Sequence, residues 1–178
     1  MPSESNILHS LKKHGAHFAA PVAAGSIRFY PELRKLCEMN KCGCYGTNWS
    51  CPPGCGDVHA LSKRVRSFAH AIVFQYVGTL EDSFDFEGML ASNEAFNRIA
   101  YAVRDDLAKE TSGFLVLGAG KCTLCEACSY PDAPCRFPEK HIISVEACGI
   151  DVSELCREAG LSYIHGTNTV TNTGLILY

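Results

Sequence analysis

The sequence lacks the long apolar runs that membrane-spanning segments require. No stretch of it approaches the roughly 18 consecutive apolar residues that cross a bilayer as a helix. The first residues, MPSESNILHSLKKHG, lack the basic start and following apolar segment that are typical of a secretory signal. These two absences predict a cytoplasmic protein with no membrane partner.

Charge of one sign is not in excess either. The 178-residue chain has 16 Lys and Arg against 19 Asp and Glu, which gives a formal net charge of −3 at pH 7. Proteins that bind nucleic acid or anionic membranes usually carry clustered positive charge. We therefore expect no nucleic-acid partner.

Motifs for nucleotide binding and hydrolysis are also missing. The segment GAGK at residues 118–121 does not fit the GxxxxGK[ST] frame, and no GxGxxG follows a predicted strand. Neither GxSxG nor HExxH occurs. The sequence thus gives no support for a nucleotide-binding protein or for the hydrolases that these motifs mark.

Cysteine is what the sequence has in abundance, with 11 residues. The number is odd and no export signal accompanies it, so a disulfide framework explains it poorly. In a reducing compartment, closely spaced cysteines indicate metal binding. Most of them fall into two groups, which we call the first cysteine group and the second cysteine group.

The second cysteine group has the pattern CxxCxxC followed by one more cysteine: Cys122, Cys125, Cys128 and Cys135. Three thiolates at steps of three residues let a short loop wrap one face of a [4Fe–4S] cluster. A bacterial ferredoxin places its fourth cysteine after three residues, whereas Cys135 comes after six. An iron–sulfur cluster is therefore the favoured cofactor, with Cys135 as the expected fourth ligand.

Zinc is the alternative for this group. Structural zinc sites usually have two CxxC pairs separated by a dozen or more residues. Three cysteines in strict steps of three fit that pattern less well, but spacing alone leaves zinc open.

The first cysteine group occupies CEMNKCGCYGTNWSCPPGCG and consists of Cys37, Cys42, Cys44, Cys51 and Cys55. The interleaved glycines allow a loop to turn backbone amides toward an anionic cofactor. Its spacing is irregular and matches neither a ferredoxin nor a standard zinc site. We expect a metal role here too, with a [4Fe–4S] cluster favoured over zinc and one cysteine to spare.

Two cysteines lie outside both groups. Cys156 lies on the apolar face of a predicted helix and is interpreted as a small buried hydrophobic residue. The sequence leaves Cys148 undecided. His141 and the polar stretch 165–174 are further candidates for contacts with a small ligand, although a turn or an edge strand is the favoured interpretation of that stretch.

The hydrophobic pattern predicts an α/β fold. Helical spacing of apolar residues indicates helices from Asp57 onward, over 92–110 and over 149–160. Residues 69–79, 113–120, 161–166 and 174–178 are typical of strands. Shorter helices are predicted near Ile7 to Leu11 and before Cys37. We expect 1–178 to form a single compact domain of alternating helices and strands, with two cysteine-rich metal-binding loops.

The segments CGCYGTNWSCPP, CTLCEACSYPDAPCRFP and SVEACGIDVSELCREAG together resemble a cysteine-rich family of predicted metal-binding proteins from anaerobic bacteria and archaea. The resemblance extends from Cys37 to Gly160. It implies metal binding, with iron–sulfur as the expected form, and it implies no particular reaction. The positions shared by this likeness are Cys42, Cys51, Cys122, Cys125, Cys128 and Cys135.

Three functions follow from these observations as hypotheses. The first is electron transfer, with one or two [4Fe–4S] clusters and a redox partner protein. The second is an enzyme that uses an open iron, or a cofactor that a cluster reduces, on a small molecule. The third is a zinc-stapled interaction module without redox chemistry.

Overall fold

One mixed five-stranded sheet lies at the centre of the protein, which a computed structural model describes over residues 2–178. Five helices surround the sheet. The helices are α1 (Glu4–Lys13), α2 (Arg34–Glu38), α3 (Val58–Arg66), α4 (Phe86–Glu110) and α5 (Val152–Glu158); the strands are β1 (Phe18–Ala23), β2 (His70–Thr79), β3 (Leu115–Gly118), β4 (Ile143–Ser144) and β5 (Thr169–Leu177). The α/β prediction is confirmed.

The strands follow the order β1-β2-β5-β3-β4 across the sheet. β1 with β2, β2 with β5 and β3 with β5 pair antiparallel, whereas β3 and β4 are parallel. The longest pairing joins β2 to β5, from Ala71 opposite Leu177 to Thr79 opposite Thr169. The last strand of the chain therefore lies in the middle of the sheet.

A hydrophobic cluster covers each face of the sheet. Because successive side chains of a strand point to opposite faces, β2 contributes Ala71 and Val73 to one cluster and Ile72 and Phe74 to the other. Helices α3 and α5 pack on the first face, and α1 and α4 pack on the second. A strand covered on both sides has an almost continuous apolar sequence, as β2 does.

Four of the helices begin at a side chain that accepts hydrogen bonds from the first turn. Ser3, Asp57, Asp85 and Asp151 cap α1, α3, α4 and α5 in this way. Such a cap satisfies backbone N–H groups that have no partner inside the helix. The predicted start of α3 at Asp57 is confirmed, whereas α4 begins at Phe86, six residues before the predicted 92.

The structure corrects the strand assignment at several points. Residues 161–166, predicted as a strand, form no strand, and Tyr163 and Ile164 are exposed. β5 already pairs with β2 on one side and β3 on the other, so the segment just before it runs over the surface. The stretch 165–174, expected to be a turn or an edge strand, forms a turn at 167–168 and then enters β5, which is a central strand. The sequence pattern predicts neither β1 nor β4.

Both cysteine groups lie on segments without regular strands or long helices. The first group extends from Cys37 in α2 through the loop that precedes α3, and the second lies in the long connection between β3 and β4. Helix α2 delivers Cys37 as predicted. No helix within residues 2–178 has the length and apolar character needed to cross a membrane.

Candidate metal centre

The four cysteines of the second group line one small cavity. Cys122, Cys125, Cys128 and Cys135 share it with Trp49, Arg136, Phe137 and His141. Strand β3 delivers the chain to this point, since Gly118 ends the strand and Cys122 follows after a short turn. Three of the four cysteines are partly buried and Cys128 is exposed. The structure therefore brings together the cysteines that the spacing had grouped.

Two hydrogen bonds fix Cys122 at the inner end of this loop. Its backbone N–H donates to Ser50 Oγ at 2.7 Å, and its Sγ accepts a hydrogen bond from the hydroxyl of Tyr101 at 3.2 Å. Burial, followed by the hydrogen bond to Cys122, raises the pKa of Tyr101 above its usual range. Tyr101 therefore stays a neutral donor toward this sulfur.

The side chain of Asn48 organises the first cysteine group. Its amide nitrogen donates to the carbonyl of Cys44 at 3.2 Å, and its Oδ1 accepts from both the N–H and the hydroxyl of Ser50, at 3.0 and 2.7 Å. Gly54 lies so close to the Asn48 carbonyl and the Tyr130 ring that a side chain there would overlap both. The loop is thus tightly folded although it contains little regular structure.

Arg34 joins the first cysteine group to the body of the protein. Its guanidinium donates to Cys55 Sγ at 3.4 Å, to the Gly56 carbonyl at 3.0 Å and to the Ala147 carbonyl at 2.8 Å. Burial raises the pKa of Cys55, and the nearby Arg34 cation opposes that shift. A guanidinium beside a sulfur favours the thiolate that a metal requires.

Burial keeps the inner thiols of the first group protonated when no metal compensates. It raises the pKa of Cys51 to about 12, even though a hydrogen bond from Asn48 acts in the opposite direction. Burial also raises the pKa of Cys44, and the neighbouring Cys42 adds to the effect. Metal ligation deprotonates such thiols and so couples binding to proton release.

The two cysteine groups are neighbours in space. Ser50 links them directly, because it accepts from Cys122 while it donates to Asn48. Trp49 adds a second link, since its Nε1–H donates to the carbonyl of Ala133 at 3.1 Å and its ring meets Tyr130 edge-on at 4.9 Å. Residues that lie far apart in sequence therefore form one cysteine-rich end of the molecule.

The thiols of the second cysteine group are suitable metal ligands, but the space between them is small. Within residues 2–178, no three Cys, His, Asp or Glu side chains are arranged to hold one metal ion. The cavity of the second group has a volume of about 20 Å³, roughly enough for one water molecule. Four thiols on a loop are nevertheless the donor set of iron–sulfur and structural zinc sites. A cluster would require this loop to widen.

The structure places the two remaining cysteines in the core. Cys156 is fully buried on α5 and accepts a hydrogen bond from Gln75 Nε2 at 3.2 Å, in agreement with its interpretation as a buried residue. Cys148 is also buried, and burial raises its pKa to about 12. It belongs to the same hydrophobic cluster against which Cys55 packs.

The candidate histidines differ in position. His141 lines the cavity of the second cysteine group, and its Nδ1 lies 2.9 Å from the carbonyl of Pro138. His165 does not line this cavity. It stacks on Phe18, and its Nε2 lies 3.2 Å from Gln75 Oε1. The polar side chains of the following strand are also used internally, as Asn172 donates to Ser92 Oγ at 2.9 Å.

Sequence reasoning missed four contributors to this region: Arg34, Asn48, Ser50 and Tyr101. Each acts on a cysteine or its backbone across a turn or from another element. The sequence contains no signal for Tyr101, which is one of several residues along the long helix α4. Ser50 precedes Cys51 directly, yet its partner is 72 positions away.

Comparison with known proteins yields one family. The model of a family described as predicted metal-binding protein (DUF2284) matches residues 20–178. The chain belongs to this family. No curated protein and no solved structure matches the chain significantly. Members of this family are described as predicted metal-binding proteins, and both cysteine groups of the chain lie inside the matched range.

Proposed function

We propose that the protein is an iron–sulfur protein in which Cys122, Cys125, Cys128 and Cys135 hold a [4Fe–4S] cluster. The observation that carries this proposal is that all four cysteines line one cavity. Their CxxCxxC spacing suits the separated irons of a cubane better than a single ion. The connection between β3 and β4 has no helix or strand that would resist widening around a cluster.

The first cysteine group supplies the ligands of a second metal centre in this proposal. Cys37, Cys42, Cys44, Cys51 and Cys55 exceed a set of four by one, which leaves one thiol free. Arg34 favours the thiolate form of Cys55 and secures it to the 3₁₀ turn that contains Ala147. The matched range of the family model includes both groups, and the family's description names no metal.

Electron transfer is the function that this arrangement supports best. A [4Fe–4S] cluster supplies a one-electron redox couple, whose potential depends on hydrogen bonds to its sulfurs and on exposure. Here Tyr101 donates to the sulfur of Cys122, and Cys128 lies exposed at the surface, where a redox partner protein can approach. A reducing cytoplasm would preserve the free thiols that assembly needs.

Zinc is the second candidate, because one observation favours it. A cavity of about 20 Å³ suits a single ion better than four irons. In that case the four thiolates would join the second loop into a structural site, and the protein would be an interaction module.

The composition of the purified protein tests these proposals. Iron, acid-labile sulfide and zinc are measured per chain on protein prepared without oxygen. We expect about eight irons with equal sulfide if both groups hold clusters, and about four if only one does. Zinc without sulfide would overturn the iron–sulfur proposal and support the structural site.

A pair of serine variants assigns the second centre. Cys125→Ser removes a proposed ligand from the loop between β3 and β4, and we expect it to lower iron by about four per chain. Cys156→Ser is the matched control, since this cysteine lies in the core beside Gln75 and Thr173. Full iron in Cys125→Ser, measured on folded protein, would contradict the assignment.

A further inference from the structure

A second cavity, with a volume of about 260 Å³, opens beside the second cysteine group at the β4 edge of the sheet. Its walls come from the end of α4, the segment that leads into β3, and residues 138–143. The polar residues that line it are Arg64, Arg104, Thr111, Ser112, Glu139 and His141. None of them belongs to the cysteine groups.

The cavity contains two permanent cations. Arg64 on α3 is exposed and has no carboxylate within 4.0 Å among the described residues. Arg104 on α4 pairs with Asp105 at 2.5 Å and also donates to the carbonyl of Glu139. A guanidinium has five N–H donors, so Arg104 keeps donors for another partner.

The negative charges near the cavity only partly balance these cations. Glu139 lines it with an exposed carboxylate, and Asp105 is already paired with Arg104. Arg64 is therefore the cation that has no fixed partner in the described chain. An exposed guanidinium of this kind is suited to bind a carboxylate or a phosphate through two parallel hydrogen bonds.

Neutral donors complete the polar side of the cavity. The Thr111 hydroxyl accepts from the N–H of Gly113 at 3.2 Å, which leaves its own hydrogen for another acceptor. Ser112 provides a second hydroxyl. His141 differs from these hydroxyls: its Nδ1–H donates to the Pro138 carbonyl, so Nε2 of the neutral ring is an acceptor. The donors thus outnumber the acceptors that line the cavity.

The rest of the lining is mostly apolar. Phe114, Leu115 and Val116 come from the segment that enters and forms β3, and Ile142 and Ile143 come from the segment that enters β4. The volume is close to the lower end of the roughly 300 to 1,000 Å³ of small-molecule sites. A ligand with a charged oxyanion at one end and a small apolar body matches this lining.

We propose that this cavity binds a small organic oxyanion, a carboxylate or a phosphate ester, with Arg64 and Arg104 holding the anionic group. The inference goes beyond the proposed iron–sulfur function and does not depend on it. His141 lines both this cavity and the cavity of the second cysteine group. A bound anion would therefore lie next to that group.

Calorimetric titration of the full chain as purified tests the proposal, with phenyl phosphate and benzoate as separate probes. We expect at least one of them to bind with a dissociation constant below about 1 mM, and the stronger probe to identify the preferred oxyanion. Arg64→Gln should weaken that probe by about tenfold or more, because it removes a charge-assisted hydrogen-bond partner.

Lys63→Gln is the matched control. It removes one positive charge from the same exposed turn of α3, at a residue that does not line the cavity. The affinity of this variant for the probe should stay within about twofold of that of the unmodified protein, because Lys63 is exposed to salt and does not line the cavity. If both variants bound the probe equally more weakly, the effect would come from the net positive charge alone, and the proposed site would be overturned. Failure of both probes to bind would also overturn it, whatever the iron content.

Discussion

The hydroxyl of Tyr101 makes a direct hydrogen bond to a proposed metal ligand. It donates to Cys122 Sγ at 3.2 Å from the side of α4 that faces the second cysteine group. A donor to a cluster sulfur stabilises the more negative, reduced state more than the oxidised state. In the proposed iron–sulfur protein, Tyr101 is thus a positioning and tuning residue and not itself a ligand.

Replacing Tyr101 tests this role at the scale of one hydrogen bond. Tyr101→Phe keeps the ring and removes the donor. We therefore expect the reduction potential of the iron-loaded protein to fall by some tens of millivolts. This is on the order of the 59 mV that corresponds to a tenfold change in a one-electron equilibrium. Iron content should not change. A redox titration followed by visible absorption gives the potential.

Tyr178→Phe provides the comparison for this variant. The hydroxyl of Tyr178 donates to Glu4 at 3.4 Å and makes no hydrogen bond to a cysteine of the described residues. Its loss should leave the potential unchanged. An equal shift in both variants would show that Tyr101 acts through general packing, and an unchanged potential in Tyr101→Phe would remove it as a tuning residue.

Among the elements, α1 docks on α4 through a cluster of charges around Asp106. The carboxylate of Asp106 accepts from Lys13 Nζ at 2.9 Å, pairs with His14 Nε2 at 2.8 Å and accepts from Lys109 Nζ at 2.9 Å. Ile7 and Leu11 of α1 are fully buried beneath this cluster. The hydrophobic contact holds α1 in place, and the charges define its position.

The charged cluster predicts a specific dependence of stability on pH. The hydrogen bonds from Lys109, His14 and Lys13 hold the pKa of Asp106 well below its usual range. A lowered pKa in the folded state stabilises the fold above the unfolded value of about 3.9, and this contribution is lost as the pH falls further. Asp106→Asn should therefore lower Tm at pH 7 and by progressively less below pH 4. The decrease at pH 7 should be only a few degrees, because partly exposed ion pairs contribute little to stability.

Glu94→Gln is the appropriate comparison, because Glu94 is an exposed carboxylate on the same helix with no ion pair in the described chain. Its Tm should follow that of the unmodified protein at every pH. If the Tm difference of Asp106→Asn persisted unchanged in acid, the charged cluster would not be its source. Thermal unfolding followed by circular dichroism measures these differences.

At the scale of the whole molecule, the cores and the cysteine groups lie in different parts of the structure. The two hydrophobic clusters sandwich the sheet, whereas residues 39–57 and 119–142 contain no helix or strand. The fold therefore has its own source of stability in apolar burial. Metal would chiefly order the two loops.

Removal of the metal tests this separation. After chelation and oxidation, we expect the far-ultraviolet circular dichroism to be retained, because the sheet and the helices do not depend on the loops. Amide hydrogen exchange should increase within 39–57 and 119–142 and stay slow in β2 and β5, which pair along their whole length. Loss of the circular dichroism signal together with the metal would show that the fold itself requires metal.

The sequence predicts the structure most accurately where the local pattern of residues decides it. The spacing of apolar residues predicted α3, the body of α4 and β2, since each has its own periodicity or buried composition. The prediction was wrong for residues 161–166, where Tyr163 and Ile164 are exposed. β5 already has a partner strand on each side, so it has no free edge with which this segment could pair. A strand as short as β4 forms because it pairs with a neighbouring strand, in this case β3.

By itself, the sequence determined the α/β class, the grouping of the cysteines into two loops and the family to which the chain belongs. These properties depend on residue type and spacing along the chain. Only the tertiary structure decided that the two loops are neighbours through Ser50 and Trp49, that Tyr101 and Arg34 donate to cysteine sulfurs, and that arginines from α3 and α4 line one cavity. Contacts between residues tens of positions apart depend on the packing of the whole chain, which local pattern does not encode.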